Sequence, residues 1–138
     1  MPFVVDASIA ASWAFSDESS PDAAAALAAL GRDTAWVPAL WWFEIRNALV
    51  VNERRGRLTP ATTAEFLRRL SHLRITEKRD PNESEILRLT RTYRLTVYDA
   101  AYLELAQGNE VPLATLDKAL KDAAQAEGVP LLGPTSSI

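Results

Sequence analysis

The feature that most constrains this chain is a short apolar segment, Phe3-Val4-Val5, that ends directly on the carboxylate of Asp6. Three apolar residues, two of them β-branched, are typical of a short buried strand. An ionised aspartate at the end of a buried strand is costly unless something there binds it. In open α/β sheets, sites form beyond the carboxyl ends of the strands. We therefore expect Asp6 to belong to a site at such an edge.

Short apolar segments alternate with longer helical segments along the rest of the chain. Strands are predicted at residues 3–5, 34–37, 74–77, 111–114 and 129–132, and helices at residues 8–15, 21–30, 39–55, 59–73, 80–93, 96–106 and 117–127. Strands that alternate with helices indicate a parallel sheet covered by helices on both faces. The sequence therefore predicts an α/β protein.

The length and composition narrow the function further. The 138 residues contain no repeat and no convincing linker, so we expect a single domain over residues 1–138. The absence of cysteine excludes disulfides, zinc–thiolate sites and cysteine nucleophiles, and it fits a reducing cytoplasm. The single histidine, His72, argues against a Ser-His-Asp triad or a polyhistidine metal site. We expect a cytoplasmic protein without membrane contact, because neither a signal peptide nor a bilayer-spanning stretch is evident.

The predicted elements place four carboxylates either at strand ends or on inward faces of helices. Asp6 and Asp117 each follow a predicted strand, where either can equally be a helix N-cap. Glu44 lies within an apolar helical stretch, where an acid must be bound to a metal, neutralised or paired, for example with an arginine. Asp99 falls in the first turn of its helix, where the helix dipole favours an acid, but its neighbours are mostly apolar.

Together the four carboxylates predict a metal site. Acids that share one pocket repel one another and raise each other's pKa, and a divalent cation relieves that repulsion. Mg²⁺ and Mn²⁺ prefer oxygen ligands, and such ions activate water and stabilise the leaving oxygen in phosphodiester cleavage. Ser8 and Thr115, each within two residues of a strand-end aspartate, either support this site or are ordinary turn residues.

The chain resembles the PIN-domain ribonucleases, and among them the VapC-type toxins of bacterial toxin–antitoxin pairs. The matching segments extend over nearly the whole chain: Val4-Val5-Asp6-Ala7-Ser8, Glu44 with Asn47-Ala48-Leu49, Tyr98-Asp99-Ala100-Ala101-Tyr102 with Leu105-Ala106, and Thr115-Leu116-Asp117 with Leu120. The resemblance implies a three-layer α/β/α sandwich with a central, mainly parallel sheet.

The same resemblance implies a function and a set of site residues. Asp6, Glu44, Asp99 and Asp117 would be the catalytic and metal-binding acids, with Ser8 and Thr115 in support. The implied activity is endonucleolytic cleavage of RNA that depends on Mg²⁺ or Mn²⁺. The implied partners are the RNA substrate, a second copy in a homodimer, and a cognate antitoxin that inhibits the enzyme.

The charge distribution accommodates RNA despite a formal net charge of −3. Setting the four carboxylates aside changes that charge to +1, and eleven of the twelve arginines lie between positions 46 and 94. The arginines that we expect to hold RNA phosphates are Arg46, Arg54, Arg55 and Arg57. The alternative is that these arginines are only the polar residues that exposed helix surfaces commonly carry.

The consecutive aromatic residues Trp41, Trp42 and Phe43 cannot all face one core. We expect at least one of them to contact a dimer mate or an antitoxin segment, because aromatic side chains are enriched at interfaces. A platform on which nucleic-acid bases stack is an alternative use of the same residues.

Two other functions remain open. The same architecture can serve a nuclease in RNA processing or DNA repair, although 138 residues leave little room for the extra elements of such enzymes. A non-catalytic, Mg²⁺-binding receiver-like module also places an aspartate at strand ends. That module requires paired acids after the first strand, whereas Asp6 is followed by Ala7-Ser8.

Overall fold

The structure is a computed structural model that describes residues 1–18 and 20–134. Its strands are β1 (Phe3–Val5), β2 (Ala35–Val37), β3 (Ile75–Glu77) and β4 (Leu113–Ala114). Its helices are α1 (Ala7–Ser12), α2 (Pro21–Ala29), α3 (Leu40–Arg54), α4 (Pro60–Leu70), α5 (Glu83–Tyr93), α6 (Val97–Gly108) and α7 (Lys118–Ala126).

The four strands form one sheet in the order β3-β2-β1-β4, and every pairing is parallel. Helices α1 to α4 lie in the connections that lead from β1 through β2 to β3, and α5 and α6 lie in the connection from β3 to β4. Because crossovers between parallel strands are right-handed, the two groups of helices cover opposite faces. Contacts of α6 with β1, β2 and β4, and of α2 with β4, agree with this arrangement. The predicted α/β/α sandwich is confirmed.

The core is a single hydrophobic cluster built around β1, whose three residues are buried. The face that α3 turns to the core carries Trp41, Ile45 and Leu49 at helical spacing. Helix α6 is buried on most sides, which explains why its sequence is apolar almost throughout. Within the described residues, the helices are too short or too polar to cross a bilayer.

Helices α1 and α4 each end three residues earlier than predicted, and β4 begins two residues later. Two further predicted elements differ for identifiable reasons. The strand predicted at residues 129–132 is a single parallel bridge between Leu113 and Leu131, because Pro130 has no N–H to donate to a ladder. The helix predicted from Asp80 begins at Glu83, with Asn82 as its N-cap. Asp80 adopts a left-handed conformation with φ of 71°, which places it outside the helix.

The sheet brings the ends of β1 and β4 level with each other. Val5 pairs with Ala114, and the Asp6 N–H donates to the Ala114 carbonyl at 3.1 Å. The residues that follow both strands therefore lie side by side at the carboxyl edge of the sheet. This edge is where the sequence placed the candidate site.

Candidate metal centre

Asp6 is buried at the carboxyl edge and is held by hydroxyl groups. The residue is only 4% exposed to solvent. Oδ1 accepts hydrogen bonds from the Ser8 hydroxyl at 2.6 Å and from the Ile9 N–H at 3.2 Å, and Oδ2 accepts one from the Thr115 hydroxyl. Burial raises the pKa of the Asp6 carboxyl, and these hydrogen bonds only partly oppose that effect.

Ser8 and Thr115 connect Asp6 to the segment that follows β4. The Ser8 hydroxyl accepts a hydrogen bond from the Leu116 N–H at 3.0 Å. The Thr115 hydroxyl accepts one from the Asp117 N–H, also at 3.0 Å. Each hydroxyl thus donates to Asp6 and accepts from residues 116–117, so both residues join the segment after β1 to the segment after β4.

Asp117 stands at the rim of the same edge, where it is exposed. Its Oδ2 accepts a hydrogen bond from the Leu120 N–H at 2.8 Å and caps α7. Asp6 caps α1 in the same way through Ile9. The two strand-end acids therefore do act as N-caps, and capping fixes each side chain in place without removing its charge.

Glu44 reaches the site from α3 and meets α6 there. The Tyr102 hydroxyl donates to Glu44 Oε1 at 2.5 Å. Within residues 1–18 and 20–134, Glu44 forms no ion pair with an arginine, so that alternative is not observed. Burial raises the pKa of Glu44, and the charges of Asp99 and Asp6 raise it further. Sequence reasoning assigned no role to Tyr102, although its position three residues after Asp99 places both near one face of α6.

Asp99 is half-buried in the first turn of α6, where its N–H donates to the N-cap Thr96 at 3.0 Å. Burial and the charge of Asp117 raise the pKa of its carboxyl. The charge of Asp99 in turn raises the pKa of Asp6 and of Glu44. Asp99 and Asp6 thus act on Glu44, Asp99 acts on Asp6, and Asp117 acts on Asp99, so each acid takes part in at least one charge interaction within the set.

The chemistry of these donors fits a hard cation, although they do not form a ready ligand cage. All of the candidate ligands are oxygens, from four carboxylates and the neighbouring hydroxyls, which is the set that Mg²⁺ and Mn²⁺ prefer. Within the described residues, however, no group of three or more Asp, Glu, His or Cys side chains is arranged to hold a metal ion. Side-chain rotation or bridging waters would be needed to complete the coordination shell, and Mg²⁺ commonly retains several waters.

Arg57 is engaged within the protein. Its guanidinium donates to Asp17 Oδ1 at 3.3 Å, to Glu18 Oε2 at 3.0 Å and to Asn52 Oδ1 at 3.0 Å. It also stacks over the ring of Phe15, 4.1 Å from the centroid. These contacts fasten the loop after α1 to the end of α3.

The other candidate arginines differ in their surroundings. Arg46 stacks over Trp42, 3.8 Å from the ring centroid, and donates to the Trp42 carbonyl at 3.1 Å. Arg54 and Arg55 are exposed at the end of α3. Ten residues separate Glu44 from Arg54, which is a rise of about 15 Å along a helix.

The aromatic triplet divides between core and surface as predicted. Trp41 is buried, whereas Trp42 is 50% and Phe43 is 69% exposed. The two exposed rings pack edge to face, with centroids 5.0 Å apart. Two large apolar side chains therefore face solvent on the outer side of α3.

Comparison with known proteins finds a curated relative and several similar solved structures. The chain is 35% identical over 79 residues to "Exonuclease VapC9" from Pyrobaculum aerophilum, a match that covers 56% of this chain and 58% of the relative. The match therefore spans less than two thirds of the length of that relative.

The crystal structure of PAE2754 from Pyrobaculum aerophilum superposes with a TM-score of 0.68 at 27% identity, covering 89% of this chain and 87% of that one. That of FitAcB from Neisseria gonorrhoeae gives a TM-score of 0.65 at 15% identity, covering 96% and 97%, a likeness of fold alone. The family model described as "PIN domain" matches residues 3–126. Because this match covers most of the 138 residues, including the strands and the carboxyl edge of the sheet, the chain belongs to the PIN-domain family.

Proposed function

We propose that this protein is a metal-dependent endoribonuclease that acts as the toxin of a toxin–antitoxin pair. The observation that carries the proposal is a set of four carboxylates whose negative charges interact at the carboxyl edge of a PIN-domain sheet. Such a set destabilises itself without a counter-ion. The nuclease activity in the name of the curated relative supports the same reaction class.

The proposed cation site uses the four acids in different positions. Asp6 and Asp117 contribute from the strand ends, and Glu44 and Asp99 from helices α3 and α6. A bound Mg²⁺ or Mn²⁺ would supply a Lewis acid that activates water and stabilises charge on phosphodiester oxygens. The hydroxyls of Ser8 and Thr115 orient the carboxylate of Asp6 toward this task.

An open cleft gives a nucleic-acid strand room to approach. It has a volume of about 910 Å³ and lies between the start of α3, the segment that follows β3, and one side of α6 from Val97 to Asn109. Leu40, one turn before Glu44, and Val97, two residues before Asp99, both line it. Its charged lining residues are Lys78 and Arg79 together with Glu77, Asp80 and Glu104. We propose that the RNA backbone follows this cleft to the carboxylates.

We propose that Arg46, Arg54 and Arg55 hold phosphates away from the cut. Arg57 was predicted to share this role, and its bonds to Asp17 and Glu18 support a structural role in addition.

The proposed partners are a second copy of the chain and an antitoxin. Exposed Trp42 and Phe43 offer the aromatic contact area that interfaces use. RNA and an antitoxin would both be met in the cytoplasm, where we place the activity.

The experiment that tests the proposal measures cleavage of labelled single-stranded RNA by the full chain with Mg²⁺, with Mn²⁺ and with a chelator. Cleavage should require the cation and should be lost in Asp6→Asn and Asp99→Asn. Asp122→Asn is the matched control, because Asp122 is an exposed acid paired with Lys118 on α7. Cation-dependent cleavage that survives in both site variants would contradict the proposal.

A second candidate is an exonuclease, which the name of the curated relative favours. A circular RNA separates the two activities, because only an endonuclease can open a substrate without ends. Parallel reactions with single-stranded and flap DNA test the alternative role in DNA repair.

A further inference from the structure

We propose that Tyr102 is a positioning residue for Glu44, whose carboxylate it fixes through Oε1 so that Oε2 is left for a cation. The inference rests on the proposed function, in which the four carboxylates bind a divalent cation. It adds a residue that lies outside the acidic quartet and outside the Ser8 and Thr115 support of Asp6.

The geometry of the pair supports this role. Tyr102 is 1% exposed and belongs to the hydrophobic core, so its ring is held by packing on all sides. Its hydroxyl donates to Glu44 Oε1 at 2.5 Å across 58 residues of sequence. The bond joins α3 to α6 at the carboxyl edge, so the core fixes where this carboxylate oxygen lies.

The chemistry explains why a tyrosine occupies a position that phenylalanine would fill. A buried hydroxyl without an acceptor costs free energy, so tyrosine is a poor choice for packing alone. A glutamate side chain that is already held loses less rotamer freedom when it binds a cation. Hydrogen-bond partners of metal ligands commonly act in this way.

The chain offers a matched control in a second tyrosine–glutamate pair. The Tyr93 hydroxyl donates to Glu127, a carboxylate that also bonds to Arg88 at 2.6 Å and to Gln107 at 2.5 Å. This pair fastens α5 and α6 to the end of α7, and the cation of Arg88 already compensates its charge. Removing the Tyr93 hydroxyl therefore tests the loss of a phenol–carboxylate bond without involving the proposed site.

The experiment measures Mn²⁺ affinity by calorimetry on the full chain without RNA, for the wild type, Tyr102→Phe and Tyr93→Phe. Tyr102→Phe should bind Mn²⁺ about 10-fold more weakly, while Tyr93→Phe should match the wild type. In a Glu44→Gln background, adding Tyr102→Phe should change the affinity less than about two-fold, because the hydroxyl acts through Glu44. Melting of the metal-free proteins is measured in parallel.

The outcomes separate this inference from the function on which it rests. If the wild type binds Mn²⁺ and cleaves RNA while Tyr102→Phe binds equally well or more tightly, the positioning role is wrong and the function stands. An equal loss of affinity in the wild-type and Glu44→Gln backgrounds also overturns positioning, because it shows a general structural effect. A wild type that neither binds Mn²⁺ nor cleaves RNA overturns both.

A spectroscopic measurement covers the case in which Tyr102→Phe does not fold. Adding Mg²⁺ to the wild type and to Tyr93→Phe should produce a tyrosine difference band in the near ultraviolet, since the phenol bonds to a carboxylate that gains a cation. The band should be absent in Glu44→Gln. A wild type that binds Mg²⁺ without this band overturns the inference.

Discussion

Replacing Asp6 with asparagine separates two opposite effects of its charge. Burial, with a smaller contribution from the charge of Asp99, raises the pKa of the Asp6 carboxyl. A carboxyl whose pKa is raised by folding stabilises the fold at low pH, and this contribution is lost as the pH rises through the folded-state value. At neutral pH the ionised Asp6 therefore destabilises the metal-free protein. Its neutral isostere should raise the melting temperature.

A bound cation should reverse the order of the melting temperatures of the wild type and Asp6→Asn. At a Mn²⁺ concentration about 100 times the dissociation constant, binding adds about 2.7 kcal/mol to the free energy of unfolding of the wild type. A chain of 138 residues has an unfolding entropy of about 0.29 kcal/mol/K near its midpoint. The wild type should then gain about 9 °C, whereas a variant with about 30-fold weaker binding should gain about 3 °C.

The assay is thermal unfolding at neutral pH, with chelator and then across a series of Mn²⁺ concentrations. Asp122→Asn serves as the control, because it removes an exposed carboxylate from an ion pair on α7 and should keep the full gain. The reasoning is refuted if Asp6→Asn gains as much from Mn²⁺ as the wild type. It is also refuted if the metal-free variant melts below the wild type.

Three further results are expected. Arg88 lowers the pKa of Glu127 to about 2. At neutral pH this shift stabilises the fold by at most about 3 kcal/mol, and the stabilisation is lost as the pH falls from 4.5 towards 2. Urea unfolding of Glu127→Gln should therefore show a lower free energy of unfolding than the wild type at neutral pH, and the difference should vanish in acid. Thr115→Val removes a donor to Asp6 and should lower the cleavage rate about 10-fold, whereas an unchanged rate would contradict a supporting role. Replacing both Arg54 and Arg55 by alanine should reduce the salt dependence of RNA binding by about two phosphate contacts, with filter binding as the measurement and an unchanged slope as the contrary result.

The position of the strand-end acids was predictable because one regularity determines it. Apolar segments that alternate with helices give a parallel sheet, and all strands of such a sheet end at the same edge. Asp6 and Asp117 could therefore be placed together from the pattern alone. The partly buried positions of Glu44 and Asp99 were predictable from the apolar helix neighbours of each acid.

Contacts between distant segments could not be predicted in the same way. The partner of Tyr102 lies 58 residues away, and the acidic partners of Arg57 lie 39 and 40 residues away. No local pattern reports such pairs, so Arg57 was predicted as an RNA contact without its structural role. The helix start at Glu83 was misplaced because the left-handed conformation of Asp80 depends on the surrounding loop.

The hydrogen-bond partners of the four candidate acids explain how the fold leaves their negative charge available for the proposed cation. Glu127 is bonded to Arg88, which lowers its pKa and compensates its charge. Within residues 1–18 and 20–134, the four site acids have no ion pair with lysine or arginine, and hydroxyls donate to Asp6 and Glu44 instead. A hydroxyl stabilises a carboxylate without neutralising it, whereas a guanidinium would compete with the cation for the same oxygens. Burial raises the pKa values of Asp6 and Glu44, and the neutral donors oppose that rise only in part. The choice of neutral donors over cations preserves the negative potential that attracts a divalent ion.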